Sequence, residues 1–239
     1  MIKNILTIIC LFLIGVCGGI FADQILWPYF IEKPLFSEFR LEKNPVYVTE
    51  RKEVIIKEND ALVDAIEKTE KTIVAIKAQT ASAVIEGSGL VITSDGLMVT
   101  LAELVPQKAT LTFYLDDKPV SFQVLKRDSL KNLALVKLEA SNLSTLSFAN
   151  LDDTQLGERV FILGTVFKKK QVNSIKVANE GVIRSFYDDF IQTNIMEKAN
   201  LKGSALFNIK TEVLGINTID VEGRVSAISV ATIREFTGL

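Results

Sequence analysis

The chain has 239 residues, 48% hydrophobic and 23% charged, with 27 Lys and Arg against 29 Asp and Glu for a formal net charge of -2. These values exclude whole-chain disorder and collagen-like repeats, and they leave no basic surplus for phosphates, so no nucleic-acid partner is expected. The chain contains no histidine, which excludes a complete Ser-His-Asp triad, a His-bearing zinc site and a histidine pH switch.

Mean hydropathy is +0.28, and the excess sits at the start. After a short tail, residues 1–4, the run from Ile5 to Ala22 has Thr7 as its one polar side chain besides the thiols of Cys10 and Cys17. A helix of that length spans about 27 Å, close to a bilayer core of about 30 Å, so residues 5–22 read as a transmembrane helix. Lys3 precedes it, and Trp27, Tyr29 and Phe30 follow as an interfacial cluster. The positive-inside rule then sends everything after residue 22 out of the cytoplasm. A signal peptide cut after Ala22 is the competing reading, and the length of the apolar run favours the anchor. The Ile14-Gly15-Val16-Cys17 string departs from a lipobox at Val16, and Gly15 with Gly19 forms a Gly-x-x-x-Gly pair. Both cysteines lie inside the apolar run, so no disulfide is expected in the exported part.

Residues 23–59 read as a stalk, because Pro28, Pro34 and Pro45 prevent a long helix and the rest is charged with extended-looking alternation. Asn59-Asp60 is a helix start, followed by an apolar stripe of Leu62, Val63 and Ile66. Then the period changes. Strand-like runs are expected at 72–78, 83–92, 97–100, 110–115, 120–127 and 133–138. A second set follows at 159–164, 172–186, 190–194, 212–219 and 225–230, before a short helical end near Thr232–Phe236. Two such batches of antiparallel strands imply two small barrels or a sandwich over residues 60–239. The acidic pairs Asp116-Asp117, Asp152-Asp153 and Asp188-Asp189 sit at turn-like positions without calcium-loop spacing, so neither metal nor cofactor is expected. Lys168–Lys170 is a solvated loop by its composition.

Several strings taken in order carry more information than any one alone. Gly87-Ser88-Gly89-Leu90-Val91-Ile92, Ser94-Asp95-Gly96, Leu133-Ala134-Leu135-Val136-Lys137, Ile191-Gln192-Thr193 and Leu214-Gly215-Ile216-Asn217-Thr218 resemble the exported trypsin-like proteases of the HtrA/DegP family. The resemblance covers about residues 60 to 236. It implies a mainly β, chymotrypsin/trypsin-like double β-barrel behind the transmembrane helix and stalk. Since the chain ends at Leu239, the peptide-binding PDZ domain common in that family is expected to be absent.

The family's chemistry is not carried over. Glu103 stands where the resemblance puts the general base, Asn132 where it puts the aspartate, and Lys202 where it puts the serine. Asn200 replaces the glycine that serves the oxyanion hole, so no acyl-transfer machinery is expected and the chain reads as a non-enzyme. A Ser204–Lys202 dyad would need the loop to bring amine and hydroxyl together. An ion pair of Glu103 with Lys202 across the cleft is the alternative to two separately solvated charges.

The expected function is therefore a membrane-anchored pseudoprotease, outside the cytoplasm, that binds a peptide or protein without cutting it. Asn200, Leu201, Gly203, Ser226, Ala227 and Ile228 are the expected cleft residues, with the segment from Ser226 to Ala231 as an edge that pairs with an extended peptide. A structural subunit and a hydrolase with non-standard activity are the alternatives. By family analogy the homo-oligomer would be a trimer.

Overall fold

The structure, a computed structural model, describes residues 2–24, 60–167 and 174–239. The stalk after Gln24 and the lysine run Lys168–Lys170 lie outside the described residues. The chain divides into two units, Met1–Val54 and Ile55–Leu239.

In the first unit, α1 runs from Ile2 to Phe21. Its described side chains are exposed, including Leu11, Phe12 and Ile14. Among the described residues no helix is long and apolar enough to cross a membrane.

The second unit opens with a helix at residues 60–69, α2. The first sheet then contains β1 (Ile73–Gln79), β2 (Val84–Val91), β3 (Leu97–Leu101), β4 (Thr110–Leu115), β5 (Lys118–Val120), β6 (Phe122–Asp128) and β7 (Leu133–Leu138). Their order across the sheet is β5-β4-β1-β2-β3-β7-β6, and it does not close. The second set is β8 (Arg159–Phe167), β9 (Ser174–Tyr187), β10 (Phe190–Met196), β11 (Ala205–Asn208), β12 (Val213–Ile219) and β13 (Arg224–Ser229). It closes into a barrel ordered β10-β13-β12-β11-β8-β9. Helix α3, Val230–Thr237, ends the chain, with the Ser229 side chain accepting the Thr232 N–H at its start.

The two batches of strands form one open seven-stranded sheet, a half-barrel, and one closed six-stranded barrel, consistent with the expected trypsin-like double barrel. The sandwich alternative falls. Turn chemistry explains the tight reversals: Asp116 and Asp117 both take positive φ between β4 and β5, and Asp188 does so between β9 and β10. Strand β10 alternates exposed and buried residues, with Ile191, Thr193 and Ile195 turned inward, as the barrel wall requires.

One hydrophobic cluster contains Leu90, Leu101 and Leu133 from the sheet together with Leu163, Phe207 and Ile216 from the barrel. Each half also has its own cluster, around Ile76 and Phe113 in the sheet and around Ile162 and Leu206 in the barrel. The shared core makes the two halves one packing unit. A buried polar seam runs beside it, where the Ser88 hydroxyl accepts the Thr165 N–H at 2.8 Å and the Thr100 hydroxyl donates to the Ser88 carbonyl at 2.7 Å.

Candidate functional site

The site is built from three turns. The carboxylate of Asp128 accepts the N–H groups of Leu130 and Lys131, each at 2.9 Å. Those bonds hold its carboxyl below the ordinary value of 3.8, the Lys131 N–H having the larger influence. They also shape the turn that leaves Asn132 at φ 51° just before β7. A second turn, Ala102–Leu104, follows β3 and presents Glu103. The two are stitched together: Ala102 N–H donates to the Asn132 carbonyl at 3.0 Å, and Glu103 N–H donates to Asn132 Oδ1 at 3.1 Å. Asn132 Nδ2 returns a bond to Glu103 Oε1 at 3.1 Å.

The third turn, Ala199–Leu201, belongs to the barrel side and ends at Lys202. Lys202 Nζ donates to Glu103 Oε2 at 2.8 Å, with side-chain exposures of 24% and 38%. A pair this exposed contributes about 0.2–1 kcal/mol, and it joins sheet to barrel. The Lys202 backbone is fastened too, its carbonyl accepting the Ser88 N–H at 3.0 Å and its own N–H donating to the Ala199 carbonyl at 3.2 Å. That N–H is therefore engaged within its own turn.

Glu103, Asn132 and Lys202 come together as one hydrogen-bonded group. The Ser204–Lys202 dyad does not form. Ser204 is fully buried and its hydroxyl accepts the Asn217 Nδ2 at 2.9 Å, while the Lys202 amine is directed at Glu103.

Of the expected cleft residues, Asn200 lines a groove of about 470 Å³ shared with Glu103 and Lys202. Leu201, at 2% exposure, belongs to the barrel core instead. Gly203 is buried at φ +74°, where an added Cβ would lie 2.2 Å from the Ser88 carbonyl, so it is a packing residue. Ser226, Ala227 and Ile228 also need correction. They pair with Gln192, Ile191 and Phe190 of β10 on one side and with Thr218, Asn217 and Ile216 of β12 on the other. The barrel is closed there, and β13 has no open edge to offer a peptide. Ser226 faces a separate polar groove of about 420 Å³ with Arg184 and Gln192.

The groove's other wall was not anticipated. It is formed by Val84, Ile85 and Glu86 at the start of β2, with Leu104 beneath. Strand β2 pairs with β1 along its length but with β3 only at Leu90 and Val91. Ser88 turns its N–H toward Lys202 and its carbonyl toward Thr100. Alternation along the strand then points the backbone groups of Glu86 and Val84 the same way, into the groove. The sequence marks these residues as a strand and carries no signal for which of its edges is left unpaired.

The profile of the Trypsin-like peptidase domain matches residues 87–216, more than half of the chain and a span that includes all three site positions. The chain belongs to the trypsin-like peptidase domain family. Its relatives place it among the HtrA/DegP-like members. It is 32% identical over 136 residues to a "Probable periplasmic serine endoprotease DegP-like" of Halomonas elongata, covering 55% of this chain and 29% of that protein. It is 31% identical over 145 residues to a protein of the same description from Chlamydia muridarum, covering 58% and 29%. "Serine protease HTRA1" of Xenopus tropicalis is 31% identical over 160 residues, covering 63% and 35%. The chain thus spans about a third of the length of these relatives.

Proposed function

We propose that this chain is a membrane-anchored member of the HtrA/DegP-like family that holds extended peptides outside the cytoplasm and does not cut them. The observation carrying this reading is the hydrogen-bonded Glu103–Asn132–Lys202 group, made of the three residues that the resemblance puts in place of the family's base, aspartate and nucleophile. An ammonium on a carboxylate supplies no attacking oxygen, and with no histidine in the chain no imidazole accepts its proton. The backbone donor of Lys202, engaged by Ala199, is not aimed at a substrate oxygen.

Peptide capture is supported by the open edge of β2. An extended segment laid beside Val84–Glu86 would continue the pairing that Ser88 already makes with Lys202, main chain to main chain. The periplasmic descriptions of the bacterial relatives accord with an exported domain. The apolar run from Ile5 to Ala22 is read as its anchor.

Full-length protein in detergent, treated with a fluorophosphonate probe and with labelled casein, should give neither adduct nor cleavage. Labelling of any serine overturns the non-cutting reading. Binding of fluorescent heptapeptides, followed by anisotropy, tests the capture reading, which fails if no extended peptide binds.

A further inference from the structure

The charges around the groove do not balance. Lys202 is neutralised by Glu103, whose two carboxylate oxygens are taken by Lys202 and Asn132. Glu86, half-buried on the opposite wall, has no ion-pair or hydrogen-bond partner for its side chain among the described residues, in a groove whose other lining is the Glu103–Lys202 pair, Asn200 and the apolar Val84, Ile85, Leu104 and Ala199. The residue placed to neutralise it is Lys77, directly across on β1. Residues opposite one another in an antiparallel pair share a face. The Lys77 ammonium, however, lies over the Phe167 ring, 5.4 Å from its centroid. Among the described residues Glu86 therefore keeps an unmatched negative charge beside backbone groups open for pairing.

We infer that Glu86 makes this groove selective for extended peptides that alternate apolar residues with Lys or Arg. The inference rests on the peptide-capture reading above. A ligand strand paired with β2 sends its side chains to two faces in turn, so in an alternating peptide the basic residues fall on the face of Glu86 and Val84 and the apolar ones on the face of Ile85, which satisfies wall and charge together. An acidic peptide would meet Glu86 with like charge. Lys202 would not relieve that repulsion, because its ammonium is already paired with Glu103.

The test uses full-length protein in detergent and fluorescein-labelled heptapeptides alternating Val with Lys, Gln or Glu. Binding should be about fivefold tighter for the Lys series than for Gln at low salt, weaker still for Glu, and the difference should shrink as salt rises. Glu86→Gln should remove the preference, and Glu86→Lys should invert it, with melting temperatures confirming that both variants fold. Equal binding of all three series, or an unchanged order in Glu86→Lys, overturns the inference and leaves peptide capture standing. No binding by any series instead sinks the capture reading.

Discussion

Strands β2 and β13 both lie within the stretches that resemble the HtrA/DegP family, yet they differ in what their backbones can still do. Between Ser226 and Ile228, β13 has neighbours on both sides in a closed barrel. From Val84 to Glu86, β2 has a neighbour on one side only among the described residues, since β3 reaches no further than Leu90 and Val91. The difference teaches that capacity for strand addition is set by how the sheet closes, not by how strand-like a segment reads.

The sealed side should tolerate least. On β12, a Cβ added at Gly215 would lie 2.2 Å from the Ile228 carbonyl of β13. Gly215→Ala must therefore push β12 and β13 apart, and a loss of about 2–3 kcal/mol is expected from chemical denaturation. On the open side, Val84 is 47% exposed, and Val84→Ala should change stability by no more than about 0.5 kcal/mol. Equal costs for the two substitutions would break the contrast.

Much of this was legible from residues. Alternation marked nearly every long strand, and the turn residues Asp116, Asp117 and Asp188 stand where the chain reverses. Two strands were not. The segment Lys118–Val120 looked like the tail of a turn because of Pro119, which its place on the outermost strand of the open sheet tolerates. Ala205–Asn208 is only a few residues long and follows the altered turn at Lys202, so it carries no period, yet it bridges β8 and β12 and closes the barrel. The group at Glu103, Asn132 and Lys202 was readable because matched strings fix sequence positions. Its hydrogen bonds, and the reassignment of Leu201 and Gly203 to the packed interior, depend on long-range contacts that no local pattern encodes.

A smaller effect probes the link between the open sheet and the barrel. Glu103→Gln keeps a hydrogen-bonding side chain opposite Lys202 but removes the charge. With both partners partly exposed, the loss should be under about 1 kcal/mol, a fall of roughly 1–3 °C in melting temperature for a domain of this size. High salt should mask it. An unchanged melting temperature at low salt would mean that the pair does not fasten the halves, leaving the attachment to the shared core around Leu101, Leu133 and Phe207 and to the bonds of Ser88 with Thr165 and the Lys202 carbonyl.

The smallest effect concerns the turn that sets Asn132. The N–H groups of Lys131 and Leu130 hold the Asp128 carboxyl below 3.8, so its folded value is depressed. Stability from such a group is present above the unfolded value and is lost as pH falls through the lower folded one, a window from about pH 4 downward. Lys131 has the opposite sign: its bond to Glu235 raises it above 10.5, so that contribution persists until pH climbs beyond the unfolded value and through the folded one. Asp128→Asn keeps an oxygen for the two N–H groups but cannot titrate. Urea midpoints measured from about pH 5 to pH 2 should therefore fall less steeply for the variant than for the parent, while the two should run parallel above pH 5. Parallel curves across the acid range as well would show that the turn holds Asn132 without help from the Asp128 charge, and the open side of the site would then owe its geometry to the backbone bonds among Ala102, Glu103 and Asn132.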